Sequence, residues 1–365
     1  NVVIAAHQGS GKTSLVEAMM YTAGVTNRLG RVTEGNTISD YRPEEVKKNI
    51  SVNTSLLACE WKGKKLNLLD VPGFTDFLGE LECAIPVAET VLMLVDSPSG
   101  VGVTTEMVYD MACENNKSCV ILINKLDREN ADYEKNLAEL KDKFEKIIVP
   151  AQIPIGAESE FHGIIDVLNQ TAFTYDKDGK GKEIPIPEDQ KEQAEEYYQA
   201  LMEAAAEGDD DLIMKYLDGE ELSKEEIKAG LQSAIASGTV IPVLCGSAFL
   251  NIGTDLVMDF LAEFTPSPLD ILPAKDAQKP FAGLVFKTIT DSFLGKLSYV
   301  KVLQGNLKND MPLYNSNLEK EEKIGALSTS QGKTQLPIPE VSFGDIGVIA
   351  KLAATGTNQT LTVKD

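Results

Sequence analysis

The sequence holds only two histidines, His7 and His162, too few for a histidine-built metal cluster. Its five cysteines, Cys59, Cys83, Cys113, Cys119 and Cys245, are odd in number and scattered through apolar stretches, with no Cys-x-x-Cys pair among them. That pattern argues against a disulfide framework and a zinc site, and for reduced, buried thiols in a cytoplasmic protein. No run of about 18 uninterrupted apolar residues exists, so no membrane span is expected. No secretory leader is visible, and there are no repeats or low-complexity tracts. Basic residues are scarce beside acidic ones, 34 against 56, for a net charge of −22. This speaks against DNA and against broad electrostatic docking on nucleic acid. It leaves open small local patches, or contact through the proteins of a larger particle.

What is present is ample material for folding. The chain has 365 residues, 43% of them hydrophobic, enough for two or three domains with their own cores. It begins at Asn1 rather than Met, with Val2 already inside an apolar strand, so the natural start is expected upstream.

Residues 1 to about 150 alternate short apolar runs with amphipathic ones. Val2–Ala6, Val91–Val95 and Cys119–Ile123 read as buried strands, and Leu56–Trp61 with Lys65–Leu69 as a hairpin turning at Lys62-Gly63-Lys64. Leu15–Ala23, Glu80–Val87, Thr104–Glu114 and Ala131–Phe144 read as helices. Such alternation predicts a mainly parallel sheet covered on both faces. Residues 157–238 read as an insertion: a strand-like stretch Gly163–Tyr175, a polar turn, then acidic helices Glu188–Glu207, Asp209–Leu217 and Ser223–Ser237. The sheet pattern resumes at Val240–Leu244 and closes with a helix, Ile252–Phe264. A proline-rich linker around Thr265–Pro273 follows. Beyond it, Phe281–Thr288, Leu297–Leu303, Met311–Asn315 and Asp345–Leu352 predict an all-β barrel.

Ala6-His7-Gln8-Gly9-Ser10-Gly11-Lys12-Thr13 follows a strand and opens a helix. Gly9 and Gly11 let backbone N–H groups approach phosphates closely, and the helix N-terminus adds positive potential. Lys12 is expected to reach the β- and γ-phosphates and Thr13 to hold Mg2+; Ser14 completes the cradle. Asn124-Lys125-Leu126-Asp127 ends another strand. There the Asp127 carboxylate can accept the N1–H and N2–H2 donors of guanine, a pair that adenine lacks. Gly246-Ser247-Ala248 ends the last strand and offers N–H groups to the guanine O6. Asp70-Val71-Pro72-Gly73 supplies a carboxylate for Mg2+ through water and an N–H that senses the γ-phosphate. A phosphate loop, DxxG about sixty residues on, NKxD and a small polar turn are the layout of a GTPase.

With these motifs in place the chain resembles elongation factor G, the ribosome-dependent translational GTPase, and within it the variant, elongation-factor-G-like branch. Asp40-Tyr41 and Lys48-Asn49-Ile50-Ser51-Val52 match the family's first switch, with Ser51 where the family's Mg2+-covering threonine stands. Cys245–Phe249, Pro266-Ser267-Pro268, Gly305–Asp310 and Gly344-Asp345-Ile346 match as well. The resemblance implies an α/β P-loop GTPase domain (1–268) with an α+β insertion, then the β-barrel second domain of translational GTPases (274–365). It implies GTP/GDP and Mg2+ as ligands, with Thr13, Ser51 and Asp70 at the metal and switches at about 28–52 and 70–80. It implies GTP hydrolysis in which Lys12 and Gly73 stabilise charge. Its implied partners are the ribosome's large-subunit RNA and stalk proteins, the latter docking on the acidic insertion, with the protein a cytoplasmic monomer. The family's further domains beyond the barrel are missing, so the chain is expected to be a fragment.

Three departures stand out. Gly9 replaces an Asp of the family, Lys48 replaces an Arg, and Phe74 occupies the position of the histidine that orients the attacking water. Phenylalanine neither donates nor accepts. Two readings are open for Phe74: hydrolysis here takes its orienting group from elsewhere, such as the ribosome, or Phe74 simply packs on the helix behind it. The alternatives to an efficient GTPase are a nucleotide-gated ribosome-binding module with little hydrolysis, and a ribosomal protection or release-type factor. The resemblance gives His7 a structural role rather than that of a base.

Overall fold

The computed structural model describes residues 1–220, 222–291 and 293–364. Its main sheet runs in the order Ser55–Trp61, Lys64–Asp70, Val2–Ala5, Thr90–Asp96, Ser118–Asn124, Val240–Cys245, Ile147–Pro150. The first pair is antiparallel and every later pair parallel. The central strands are buried along almost their whole length, as strands sandwiched between helices must be, which is why they read as uninterrupted Val, Ile and Leu. Parallel pairing brings the C-terminal ends of Val2–Ala5, Lys64–Asp70, Ser118–Asn124 and Val240–Cys245 to one edge, where open α/β sheets hold ligands.

Helix Lys12–Thr22 starts immediately after the glycine-rich loop and packs on helix Thr254–Phe264. The helix expected over Glu80–Val87 is Leu78–Ala84, followed by a 3-10 turn Ile85–Val87 where Pro86 ends the ladder. Between helix and hairpin, residues 28–52 carry a 3-10 turn, Val32–Glu34, and a short helix, Pro43–Lys48.

The stretch read as one strand, Gly163–Tyr175, is a hairpin of Gly163–Asp166 and Thr171–Tyr175. Asp166 accepts from the Asn169 backbone and amide, closing the turn. Two further strands, Gln152–Ile155 and Gly181–Ile184, complete a four-stranded antiparallel sheet that begins earlier in the chain than the sequence suggested. Helices Lys191–Ala206, Asp210–Leu217 and Lys224–Ala236 follow, the last started by a reciprocal Ser223–Glu226 cap.

The C-terminal part is strand-rich. Strands Ala282–Asp291, Gly295–Gln304, Ile346–Ala350 and Gln359–Thr362 form its centre, and Pro312–Asn315, Lys320–Lys323, Ala326–Gln331 and Thr334–Pro337 its hairpins. It is joined to the first domain by hydrogen bonding as well as packing. Gln331 pairs with Leu57, and the Gly332 N–H donates to the Leu56 carbonyl at 3.1 Å. Phe286, Leu297, Tyr299, Ile346 and Val348 lie in the same apolar cluster as the first domain's core. A buried ion pair, Lys301 Nζ to Glu89 Oε1 at 2.7 Å, and a partly buried one, Lys287 Nζ to Glu80 Oε2 at 2.5 Å, cross the junction. All five cysteines are free; Cys59, Cys119 and Cys245 are buried, Cys83 and Cys113 partly so. No helix among the described residues is long and apolar enough to cross a membrane.

Candidate nucleotide-binding site

The loop after strand Val2–Ala5 turns on two left-handed glycines, Gly9 at φ 79° and Gly11 at φ 97°. Gly11 is fixed twice over, because a Cβ there would also stand 2.4 Å from the Asn124 amide nitrogen. Ser10 Oγ donates to the His7 carbonyl at 2.9 Å. Lys12 Nζ bends back to the Ala6 and His7 carbonyls at 3.1 and 3.2 Å. Burial lowers the Lys12 ammonium to about 8, with the Asp70 and Asp40 carboxylates opposing. The His7 side chain is exposed and its carbonyl is what the loop uses.

Gly73 presses onto this loop. A Cβ at that position would lie 2.3 Å from Lys12 Nζ, 2.7 Å from the Gln8 nitrogen and 2.9 Å from the Ala6 oxygen, so only glycine fits. Beside it, hydroxyls and carboxylates converge. Thr13 Oγ1 donates to Asp70 Oδ2 at 2.8 Å and lies 3.2 Å from Ser51 Oγ; Ser39 Oγ donates to the same Asp70 oxygen at 2.5 Å. Asp70 and Asp40 are both buried, and each keeps an Oδ1 without a partner. Burial first, and then the Asp70 carboxylate, push the Asp40 carboxyl up to about 7, against the pull of Ser51 and Thr13. Asp70 is likewise raised by burial. Two orphaned buried carboxylate oxygens beside the Thr13, Ser51 and Ser39 hydroxyls form an all-oxygen donor set. It fits Mg2+, which takes one or two carboxylates and completes its shell from phosphates and water. Among the described residues no cluster of three or more His, Cys, Asp or Glu exists that could hold a metal without such help.

These groups border a cavity of about 190 Å³ lined by Gln8, Gly9, Gly11, Lys12, Thr13, Ser14, Val32, Asp40, Asn49, Ile50, Ser51, Gly73 and Phe74. Phe74 is half-buried at its boundary. It also lines a crevice with Leu78, Leu81, Met107 and Val108.

The second corner lies across Asn124. Its Nδ2 donates to the Ser10 carbonyl at 2.8 Å and its Oδ1 accepts from the Ala248 N–H at 2.9 Å. One buried amide therefore fastens the phosphate loop to the Gly246–Ala248 turn. Gly246 is bound to the Ile123 carbonyl and approaches the Ile252 carbonyl too closely for a Cβ, and Ser247 pairs with Ile252. Lys125, at φ 64°, reaches Asp96 at 2.8 Å. Asp127 Oδ2 is 3.4 Å from Arg128 Nε, while its Oδ1 is buried with no partner. That lone acceptor fits a ligand donor such as the guanine N1–H or N2–H2.

Several residues of the site escaped sequence reasoning. Asp40 was matched as part of a switch but not assigned to the metal corner; Ser39 was not singled out. Glu17, buried on helix Lys12–Thr22, accepts from the Ile38 and Ser39 N–H groups at 2.7 and 3.3 Å. Glu45 accepts from the Val52 and Asn53 N–H groups, both at 3.1 Å. A buried glutamate on a helix is the one signal that could have flagged them, and it is visible only once burial is known.

A doubly covered α/β sheet with a glycine-rich phosphate loop after its first strand defines the class: a P-loop nucleotide-binding domain. Residues 1–267 match the family model for the elongation factor Tu GTP-binding domain, and residues 280–364 match that for elongation factor G domain 2. The chain belongs to the elongation factor Tu GTP-binding domain family, in the form that carries an elongation factor G second domain. A crystal structure of a protein from Thermus thermophilus superposes with a TM-score of 0.92 at 30% identity, over 100% of this chain and 54% of that one. The chain thus spans about half the length of that relative.

Proposed function

We propose that this chain is the GTP-binding, GTP-hydrolysing part of a cytoplasmic, monomeric translation factor that acts on the ribosome as elongation factor G does, in translocation or ribosome remodelling. The observation that carries the reading is the union, through Asn124, of a phosphate loop with a base corner holding an orphaned Asp127 oxygen. An orphaned acceptor there selects guanine over adenine, because adenine would leave it unpaired.

In the proposed reaction a water oxygen attacks the γ-phosphorus as the bond to the β–γ bridging oxygen breaks, giving GDP and phosphate. Such transfer depends on positioning and charge stabilisation. Lys12 and the Gly73 N–H meet the phosphate oxygens. Loop N–H groups of residues 8–14 hold the β-phosphate. Mg2+, held by Thr13, Ser51 and Asp70 with Asp40 beside them, would supply charge neutralisation between the phosphates. The switches at about 28–52 and 70–80 are ordered through those same groups. Docking is assigned to large-subunit RNA and, on the acidic insertion helices, to stalk proteins.

Phe74 favours a second reading, a nucleotide-gated module that scarcely hydrolyses GTP alone, because it cannot orient water. Measuring GTP turnover by the full-length protein with and without ribosomes separates the two. Strong stimulation is expected; turnover no faster with ribosomes would sink the enzyme reading.

A further inference from the structure

Phe249 lies just beyond the base corner and is 43% exposed, an unusual place for an aromatic ring to be held. Two guanidinium groups cover it. The Arg31 carbon Cζ sits 4.1 Å from the ring centroid, and that of Arg128 5.2 Å. Arg31 Nη1 also donates to the Phe249 carbonyl at 2.5 Å. Arg128 directly follows the Asn124–Asp127 segment, whereas Arg31 comes from the first switch region, more than two hundred residues away in sequence from the ring it covers.

Val32, the next residue after Arg31, lines the phosphate cavity. The segment therefore runs from the base loop at one end to the phosphates at the other. In any nucleoside triphosphate the sugar occupies that interval. The segment is also braced. Arg28 Nη2 donates to the Asn36 carbonyl at 3.2 Å and the Arg31 N–H to Asn36 Oδ1 at 2.7 Å. Gly30 sits against Glu17 with no room for a Cβ, and Glu17 accepts from Ile38 and Ser39. At its far end Ser39 binds Asp70 in the metal corner.

We propose that Arg31 is a positioning residue for the nucleotide: seated on Phe249, it latches residues 28–39 as a strap across the sugar side of the site and slows nucleotide release. This rests on the reading that a guanine nucleotide occupies the site. The latch is made by the switch, not by the nucleotide, so it ties release to the order of the switch. The latch must open for a nucleotide to leave, and the phosphates beneath the segment favour its closed form, so Arg31 acts on dissociation more than on encounter.

The test is stopped-flow displacement of N-methylanthraniloyl-GDP by excess unlabelled GDP. A cation over an aromatic face plus a charged hydrogen bond predicts an increase of about three- to tenfold in dissociation rate for Arg31→Ala. Association should change less than dissociation, because changes at one interface act mostly on release. The nucleotide-free variant should keep a single cooperative urea transition, so that faster release is not loss of the fold. Phe249→Ala should match the increase, the double variant should add nothing further, and Arg31→Lys should recover part of the retention. A dissociation rate for Arg31→Ala equal to wild type, or single effects that multiply in the double variant, would overturn the strap. Failure of the wild-type protein to bind the labelled GDP would overturn the nucleotide reading itself.

Discussion

Asn124 and Ser10 are joined by a 2.8 Å hydrogen bond from the Asn124 amide to the Ser10 carbonyl, across 114 residues of sequence. The same side chain accepts from Ala248, so the phosphate loop and the base loop share one fastener. Replacing it by alanine leaves a buried carbonyl and a buried N–H without partners. Asn124→Ala should cost about 2 kcal/mol of stability, the desolvation cost of such groups. Guanine nucleotide affinity should fall at least about tenfold, since a cost of about 1.4 kcal/mol already amounts to tenfold. Denaturant unfolding and nucleotide titration check both; retention of full affinity would show that the loops hold their positions unaided.

Asp127→Asn turns an orphaned acceptor into a group that also donates. GTP should bind at least about a hundredfold more weakly, as a buried site loses a charge-assisted pair. Xanthosine triphosphate, whose O2 can accept where guanine donates, should gain affinity. Competition binding with GTP, ATP and xanthosine triphosphate reads this directly. An unchanged order of preference would remove Asp127 from the base corner.

Phe74 borders the phosphate cavity and an apolar crevice, so a histidine placed there can face the cavity without disturbing the core. Phe74→His is expected to raise intrinsic GTP turnover by about 10²-fold if water orientation limits the reaction, the ordinary scale of one positioned acid–base group. Nucleotide affinity should stay unchanged. No gain in single-turnover hydrolysis would mean that another group already orients the water.

Asp40 and Asp70 oppose each other in the corner proposed for Mg2+, and burial raises both. A raised carboxyl stabilises the fold only while protonated in the folded state; the cost appears as pH climbs from the unfolded value near 4 to the folded value of about 7. Asp40→Asn should therefore stabilise the metal-free protein by about 1–3 kcal/mol above pH 7, the scale of one uncompensated buried polar group. The gain should vanish below pH 4. The same variant should bind Mg2+-nucleotide more weakly. Urea unfolding in EDTA at pH 4 and 8, with a Mg2+ titration, checks both signs.

The parts of this site that sequence displayed are those where chemistry sits at the end of a strand. Gly9, Gly11 and Lys12, Asp70 and Gly73, and Asn124 to Asp127 each combine a local backbone need with a local side chain, so spacing alone was informative. Asp40 facing Asp70, and Glu17 holding Ile38 and Ser39, arise only when distant segments pack, and nothing in their neighbours announces it. In the second domain, Lys320–Lys323 and Thr334–Pro337 carry almost no buried side chains and so lack the alternation that marks a strand. Gly163–Tyr175 looked continuous because its turn, Val167 to Gln170, keeps two apolar residues in place of the usual glycine or proline.

The ladder contact between Leu57 and Gln331 has a mechanical meaning. Leu57 lies two residues, about 7 Å, along the strand from Ser55, which pairs with Asp70. The second domain thus grips the hairpin within one strand of a carboxylate at the metal corner. A tilt of the second domain is therefore expected to reach Asp70 through two paired strands, a path that contains no loop.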